Sequence, residues 1–106
     1  MNFELINNLT KEYIFIVEAL RTKLSDKVID KEDRLYLDRE NFDVLLSKNL
    51  FISLDEKKKF WRNIGWISCD KDNSRYTKKL WIDGKSFRKI VIEIRPYLAI
   101  KNIVSR

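Results

Sequence analysis

The chain has 106 residues, of which 44% are hydrophobic and 12% aromatic, and it carries a formal net charge of +6. This length and composition are typical of one globular domain with a small hydrophobic core, and not of a disordered chain. No apolar run approaches the roughly 18 residues of a membrane-spanning helix, and no basic, signal-like segment opens the sequence. We therefore expect a cytoplasmic protein that does not enter a membrane.

Residues suited to catalysis or metal binding are scarce. The sequence has no histidine, and Cys69 is its single cysteine, which excludes a disulfide within the chain and a His-based triad. Gly65 and Gly84 are isolated from each other, so the chain has no glycine-rich loop that could cradle a phosphate. Cys69 is interpreted as a strand residue of the core. We expect neither an enzyme nor a bound metal or cofactor.

Charge is distributed unevenly along the sequence. Residues 1–56 carry 8 basic and 12 acidic side chains, whereas residues 57–106 carry 14 basic and 4 acidic ones. A strongly basic half favours contact with a polyanion such as nucleic acid. The alternative is a lysine-rich composition without a specific partner.

The N-terminal segment is predicted to be helical over residues 2–24, with a break or cap near residues 8–10. Its apolar side chains recur at helical spacing, in the series Leu9, Tyr13, Ile16 or Val17, Leu20 and Leu24. Ile6, Ile14 and Phe15 fall outside this stripe. The surplus apolar surface has two interpretations, a broad core face or part of a dimer interface.

The middle of the chain predicts a short strand and two helices. After a charged connection, residues 34–37 favour a strand, and Asp38 is suited to cap a helix over residues 39–48 with Phe42, Leu45 and Leu46 facing inward. Ser53 and Glu56 form a capping-box pattern that begins a second helix. That helix is expected to end at Gly65 and to bury Leu54, Phe60, Trp61 and Ile64.

The C-terminal part predicts a strand, a β-hairpin and a last helix. Residues 66–69 favour the strand, residues 70–74 a polar turn, and residues 75–94 a hairpin around Asp83-Gly84, a strong signal for a two-residue turn. That turn places Leu80 opposite Phe87 across the hairpin. The last helix is predicted over residues 96–104, with Tyr97, Ile100, Ile103 and Val104 apolar.

The same register places like charges opposite each other, Lys79 against Arg88 and Lys78 against Lys89. Such pairs destabilise a hairpin, but a bound polyanion would relieve their repulsion. The candidate DNA-binding residues are therefore six cations, together with three hydroxyl side chains that could contact phosphate oxygens: Arg75, Lys78, Lys79, Lys85, Arg88 and Lys89, with Tyr76, Thr77 and Ser86. The alternative is a solvated surface hairpin. Trp81 is expected to cover the core beside Trp66, or otherwise to lie beside the DNA.

The helix after Ser53 is a weaker candidate for DNA contact. Its first turn carries Asp55 and Glu56, which suit the helix dipole but would repel phosphates. Basic side chains further along the helix form a secondary DNA-binding set, Lys58, Lys59 and Arg62. A solvated helix face is the alternative interpretation of this set.

The order helix, strand, helix, helix, strand, hairpin resembles the winged helix-turn-helix family, most clearly in KKKFWRNIGWISCDKDNSRYTKKLWIDGKSFRKIVI. The resemblance implies one α+β domain over residues 1–106, with a helix-turn-helix at about 39–64, a wing at 75–94, and extra terminal helices at 2–24 and 96–104. In that family the second helix of the motif reads the major groove, while the wing contacts the DNA backbone or minor groove.

Size, charge and terminal helices give a narrower resemblance to TcpK-type relaxosome accessory proteins of conjugative plasmids. This resemblance implies a homodimer that binds double-stranded DNA sequence-specifically at a plasmid transfer origin (oriT) during conjugation, beside a relaxase or other transfer proteins. Two alternatives stay open. The chain could be a plasmid or phage transcriptional repressor, or a winged-helix protein-interaction module that docks onto an acidic partner.

Overall fold

The computed structural model describes residues 3–23, 34–70 and 76–104, which form a mixed α+β structure of four helices and a four-stranded antiparallel sheet. The elements in chain order are α1 (Phe3–Lys23), β1 (Arg34–Leu37), α2 (Arg39–Ser47), α3 (Leu54–Ile64), β2 (Ile67–Ser68), β3 (Lys78–Ile82), β4 (Lys85–Glu93) and α4 (Arg95–Val104). Among these helices none is both long and apolar enough to cross a membrane.

Helix α1 runs without interruption, so the predicted break near residues 8–10 is wrong. Thr10 lies within the helix, and its hydroxyl donates a hydrogen bond to the Ile6 carbonyl at 2.8 Å instead of capping a helix start. The predicted stripe is otherwise confirmed, since Leu9, Tyr13 and both alternatives, Ile16 and Val17, are buried. Leu24 lies outside the described residues.

The apolar residues of α1 outside the stripe divide between core and surface. Ile14 packs partly buried against the core, whereas the side chains of Ile6 and Phe15 are 38% and 68% exposed. Phe3, at the start of the helix, is 87% exposed. The core therefore uses a broad face of α1, and some apolar surface is left over.

The strand at residues 34–37 is confirmed as β1, and α2 begins directly after Asp38 as predicted. Asp38 occupies the N-cap position through its extended backbone, and its carbonyl accepts the first helical hydrogen bond from the Phe42 N–H. Its side chain makes no capping hydrogen bond and instead forms an ion pair with Lys89 in the hairpin. Phe42 and Leu46 are buried, and Leu45 is half-buried.

The Ser53 cap of α3 is confirmed, while Glu56 reciprocates to the Ser53 hydroxyl and not to its backbone N–H. The Ser53 hydroxyl accepts a hydrogen bond from the Glu56 N–H at 3.2 Å and donates one to the Glu56 carboxylate at 3.0 Å. Gly65 ends the helix with a φ of 87°, the left-handed conformation that its missing side chain permits.

The predicted burial of Ile64 is wrong, because its side chain is 48% exposed. The chain reverses at Gly65, and Trp66, not Ile64, completes this part of the core beside Trp61. Trp61 itself is fully buried, while Leu54 and Phe60 are half-buried as members of the predicted inward face.

Strand β4 is the centre of the sheet, whose order is β1-β4-β2 with β3 paired to the first half of β4. β1 aligns Arg34 to Leu37 against Glu93 to Ile90, and the short β2 aligns Ile67 with Ile92. The predicted strand at 66–69 is thus shortened to two residues. Ile90, Val91 and Ile92 are all buried at this centre.

The hairpin register is confirmed: Ile82 pairs with Lys85, Leu80 with Phe87, Lys79 with Arg88, and Lys78 with Lys89. Asp83 and Gly84 have φ angles of 51° and 80°. Positive φ at both central positions defines a type I′ turn, whose twist matches that of the flanking strands. The two-residue turn therefore fixes which side chains face each other.

A cluster of aromatic rings joins the helices to the sheet. The Tyr13 ring stacks on Trp66 at 4.3 Å and meets the edge of Trp61 at 5.3 Å between centroids. The Tyr13 hydroxyl donates to the Glu93 carbonyl at 2.5 Å and accepts from the Tyr97 N–H at 3.1 Å, and burial raises the pKa of this phenol. Tyr13 thus fixes α1 against both β4 and α4.

Helix α4 begins at Arg95, one residue before the predicted start at Pro96. Tyr97 is buried and Ile100 half-buried, as the apolar pattern predicts. The side chains of Ile103 and Val104 lie outside the described residues.

Candidate nucleic-acid interface

The hairpin formed by β3 and β4 extends beyond the rest of the sheet. β1 and β2 pair only with residues 90–93 of β4, so residues 85–89 pair with β3 alone within the described chain. Every residue from 83 to 88 is exposed. A two-stranded segment of this kind presents both of its faces to solvent.

The register divides the hairpin side chains between these two faces, because successive residues of a strand point to opposite sides. One face, here called the tryptophan face, carries Lys79, Trp81, Ser86 and Arg88. The opposite face, here called the leucine face, carries Lys78, Leu80, Lys85, Phe87 and Lys89. Each face therefore combines apolar groups with cations.

Carboxylates from outside the hairpin contact one member of each like-charge pair. The Asp70 carboxylate lies 3.3 Å from the Arg88 guanidinium and accepts a hydrogen bond from the Lys79 N–H at 3.2 Å. Asp38 forms an ion pair with Lys89. Neither carboxylate is visible as a partner from the sequence, which assigns Asp70 to a turn and Asp38 to a cap. The repulsion across the hairpin is thus partly compensated within the folded chain.

Three hairpin cations have no carboxylate partner among the described residues: Lys78, Lys79 and Lys85. The Lys79 ammonium lies 5.0 Å from the centre of the Trp81 ring, a cation–π contact that leaves its charge available. Lys85 directly follows the turn and is exposed. Among the described residues, these three lysines are therefore the hairpin cations without a carboxylate partner, and they are here called the free charge of the wing.

Tyr76 and Thr77 lie at the base of the hairpin and are buried, with 5% and 4% of their surface exposed. The Tyr76 ring lies under the Arg62 guanidinium at 4.9 Å, and its hydroxyl donates to Asp55 at 3.4 Å. Its φ of 63° is unusual for a bulky residue. Tyr76 therefore joins the hairpin base to α3. Of the other candidate residues, Ser86 is exposed near the turn, and Arg75 lies outside the described residues.

The cations of α3 make contacts within the protein. Lys58 pairs with Asp43 at 2.5 Å and has only 12% of its side chain exposed, and Lys59 pairs with Asp55 at 3.1 Å. Arg62 covers the Tyr76 ring. The helix surface thus offers a nucleic acid less uncompensated positive charge than the hairpin does.

Trp81 does not cover the core beside Trp66, so this favoured prediction is wrong. Its side chain is 69% exposed, because the hairpin register places it on the face opposite Leu80 and beyond the part of β4 that pairs with β1 and β2. The neighbours of Trp66 are instead the rings of Tyr13, Phe60 and Trp61.

Lys57 is a buried cation, although in the sequence it is one of three consecutive lysines on the charged helix α3. Its ammonium donates three hydrogen bonds, to the Glu12 carboxylate at 2.8 Å and to the carbonyls of Leu46 and Asn49 at 2.7 and 2.6 Å. Periodicity could have identified it, because Lys57 lies on the inward stripe of α3 four residues before Trp61. Its role is to join α1, the end of α2 and α3.

Cys69 directly follows β2 and is partly exposed. Burial raises the pKa of its thiol, which keeps the sulfur protonated near neutral pH. A protonated thiol is a poor nucleophile.

The sequence matches no protein-family model and no curated protein. What the hairpin can bind must therefore be inferred from its own side chains. Three uncompensated ammonium groups, one partly exposed guanidinium and an exposed aromatic ring can bind phosphates and flat heterocycles together.

Proposed function

We propose that this protein is a winged helix-turn-helix protein that binds double-stranded DNA sequence-specifically through the β3–β4 hairpin, its wing. The order of elements supports this assignment, since α2 and α3 adjoin in sequence as a helix-turn-helix would and the hairpin follows α3 through β2. The antiparallel order β1-β4-β2 is also compatible with that fold.

The single observation that carries the proposal is that Lys78, Lys79 and Lys85, on an exposed hairpin, have no carboxylate partner among the described residues. Ammonium groups without internal partners lose little when they contact DNA phosphates, and they release counterions from the DNA. Arg88 is half-exposed and can exchange Asp70 for a base edge or a phosphate oxygen. These features support DNA as the polyanion proposed for this surface.

Helix α3 has a secondary role in this proposal. Arg62 is exposed over the Tyr76 ring and has no carboxylate partner among the described residues, so α3 keeps one available cation. Its first turn, however, presents the exposed carboxylates of Asp55 and Glu56, and Lys58 and Lys59 already pair with Asp43 and Asp55. Each of these contacts must be broken or shared before the side chain reaches a phosphate. The wing therefore supplies most of the binding free energy, and α3 adds contacts at its edge.

The resemblance to TcpK-type accessory proteins leads to a narrower form of the proposal. The protein would bind at a plasmid transfer origin as a homodimer and would contact a relaxase or another transfer protein there. The exposed apolar side chains of α1 and α4, Phe3, Phe15 and Leu98, support self-association. A symmetric dimer would present two wings to a palindromic or repeated site.

The experiment compares two triple variants that remove the same charge. Lys78→Gln/Lys79→Gln/Lys85→Gln removes the free charge of the wing, whereas Lys11→Gln/Lys48→Gln/Lys101→Gln removes three exposed lysines outside both candidate DNA-binding sets. Fluorescence anisotropy with labelled duplex DNA measures the affinity of each at several salt concentrations. We expect the wing variant to lose at least about 10-fold in affinity and to reduce the salt slope by about 3 per protomer, one for each lost phosphate contact.

The matched control should lose less than about 3-fold, since its lysines lie outside the interface. Equal losses in the two variants would mean that net charge, not the wing, determines binding. A protein that binds no duplex, transfer-origin DNA included, would instead be a module for an acidic protein partner.

A further inference from the structure

Trp81 is the most exposed aromatic side chain of the hairpin, and its surroundings are polar and cationic. Its cross-strand partner on the tryptophan face is Ser86, which is too small to cover the indole. Lys79 lies two residues before it on the same strand, with its ammonium 5.0 Å from the ring centre. Arg88 is diagonally opposite on the same face. An indole that is 69% exposed thus stands within a ring of cations and a hydroxyl.

The chemistry of this arrangement selects its occupant. An apolar protein surface, including a second copy of this chain, would have to desolvate Lys79 and Arg88 to cover the indole, and interface centres are depleted in lysine. A nucleic acid matches both features, because its phosphates neutralise the cations while a base provides a flat face for the indole. Aromatic rings flanked by basic side chains are the usual platform for bases that have left the double-helical stack.

We infer that Trp81 stacks on an unpaired nucleobase, so that the wing binds DNA carrying an unpaired base more tightly than the same DNA fully paired. This inference rests on the proposed function and adds a ligand for one face of the wing. The phosphates beside the unpaired base lie against Lys79 and Arg88, and the Ser86 hydroxyl is placed to donate to the base or its phosphate. The bases of an intact duplex are stacked on one another and cannot offer this face.

Three DNA ligands test the inference: a duplex, the same duplex with one unpaired thymidine, and the same duplex with one abasic bulge. The abasic bulge keeps the flexible backbone and phosphate but lacks the base. Stacking of one base on an aromatic side chain corresponds to about 5- to 100-fold in affinity. We expect the thymidine bulge to bind at least about 5-fold more tightly than either other ligand.

The variants Trp81→Leu and Phe87→Leu form a matched pair, because each replaces one exposed ring on opposite faces of the same hairpin. Trp81→Leu should abolish the preference for the thymidine bulge and leave duplex affinity within about 2-fold, whereas Phe87→Leu should keep the preference. Circular dichroism is the check that both variants fold.

Fluorescence provides a second readout. Trp61 and Trp66 are buried, so acrylamide quenching of the emission reports mainly on Trp81. The thymidine bulge should shield Trp81 from acrylamide, and the abasic bulge should not.

Equal affinity for all three ligands, with duplex binding intact, would overturn the stacking inference and leave the proposed function standing. If the unmodified protein binds none of the three ligands, both the stacking inference and the proposed function are overturned. Shielding of Trp81 that depends on protein concentration without DNA would assign the indole to a contact between two copies and would also overturn the inference.

Discussion

Replacing Lys57 with methionine tests whether the buried ammonium holds the helices together. Methionine keeps most of the apolar stem of lysine but cannot donate to Glu12 or to the carbonyls of Leu46 and Asn49. The Lys57 side chain is fully buried and that of Glu12 is only 11% exposed, so water replaces little of what is lost. The Lys57→Met protein therefore retains a nearly buried, unpaired carboxylate and two carbonyls without their donor.

The expected loss follows from these contacts. Removing one partner of a buried ion pair typically costs about 3–5 kcal/mol, because the remaining charge stays desolvated. Glu12 reaches the edge of the core, which favours the lower end of this range. A small domain has only about 5–15 kcal/mol of total stability. We therefore expect Lys57→Met to lower the free energy of unfolding by about 3 kcal/mol and to leave the domain close to its unfolding threshold.

Urea denaturation followed by circular dichroism measures the effect. Lys59→Met is the matched control: it removes an exposed lysine from the same helix, whose pair with Asp55 contributes at most about 1 kcal/mol. The double variant Lys57→Met/Glu12→Gln removes the unpaired charge and should recover at least about 1 kcal/mol, which identifies the stranded carboxylate as the main cost. A Lys57→Met protein within about 1 kcal/mol of the parent would refute the structural role of this lysine.

Further outcomes are expected in four kinds of measurement. For a dimer whose protomers each neutralise about 3–4 phosphates, log K for DNA should fall against log salt with a slope near −6, and a slope shallower than about −2 would contradict the basic interface. Arg88→Ala should weaken specific binding about 10-fold or more, whereas Asp70→Asn should strengthen binding because it frees Arg88, both measured by anisotropy. Sedimentation at micromolar concentration should give twice the chain mass, and Phe15→Ser should reduce it if α1 forms the interface. Because the hydrogen bond from Lys101 lowers the pKa of Glu18, Lys101→Met should return that pKa towards its ordinary value in an NMR titration.

The elements that the sequence predicts well depend on local chemistry. The Asp83-Gly84 turn requires two positive φ angles, and once its length is known the whole hairpin register follows. The Ser53 cap and the Gly65 stop are likewise decided within a few residues of chain. Predictions of this kind need no knowledge of the tertiary structure.

Most of the errors concern how the elements pack against one another. Exposure of Trp81 depends on where β1 and β2 stop along β4, and burial of Lys57 depends on Glu12, which is 45 residues away. Ile64 fits the helical pattern but loses its place in the core to Trp66. Apolar periodicity identifies the inward face of an element, but it does not say how far the neighbouring element extends.

The contacts with Asp38 and Asp70 change the interpretation of the like-charge pairs in the hairpin. They are not by themselves a sign of a polyanion, because each pair has a carboxylate partner within the described chain. At a non-specific site, a phosphate that reaches Arg88 or Lys89 only replaces the resident carboxylate, so the affinity there gains little. Lys78, Lys79 and Lys85 have no carboxylate to displace among the described residues, so they supply the first attraction to DNA. The ion pairs Asp70–Arg88 and Asp38–Lys89 open only where a phosphate or base edge fits better than the resident carboxylate. Arg88 and Lys89 are therefore a source of specificity more than of affinity.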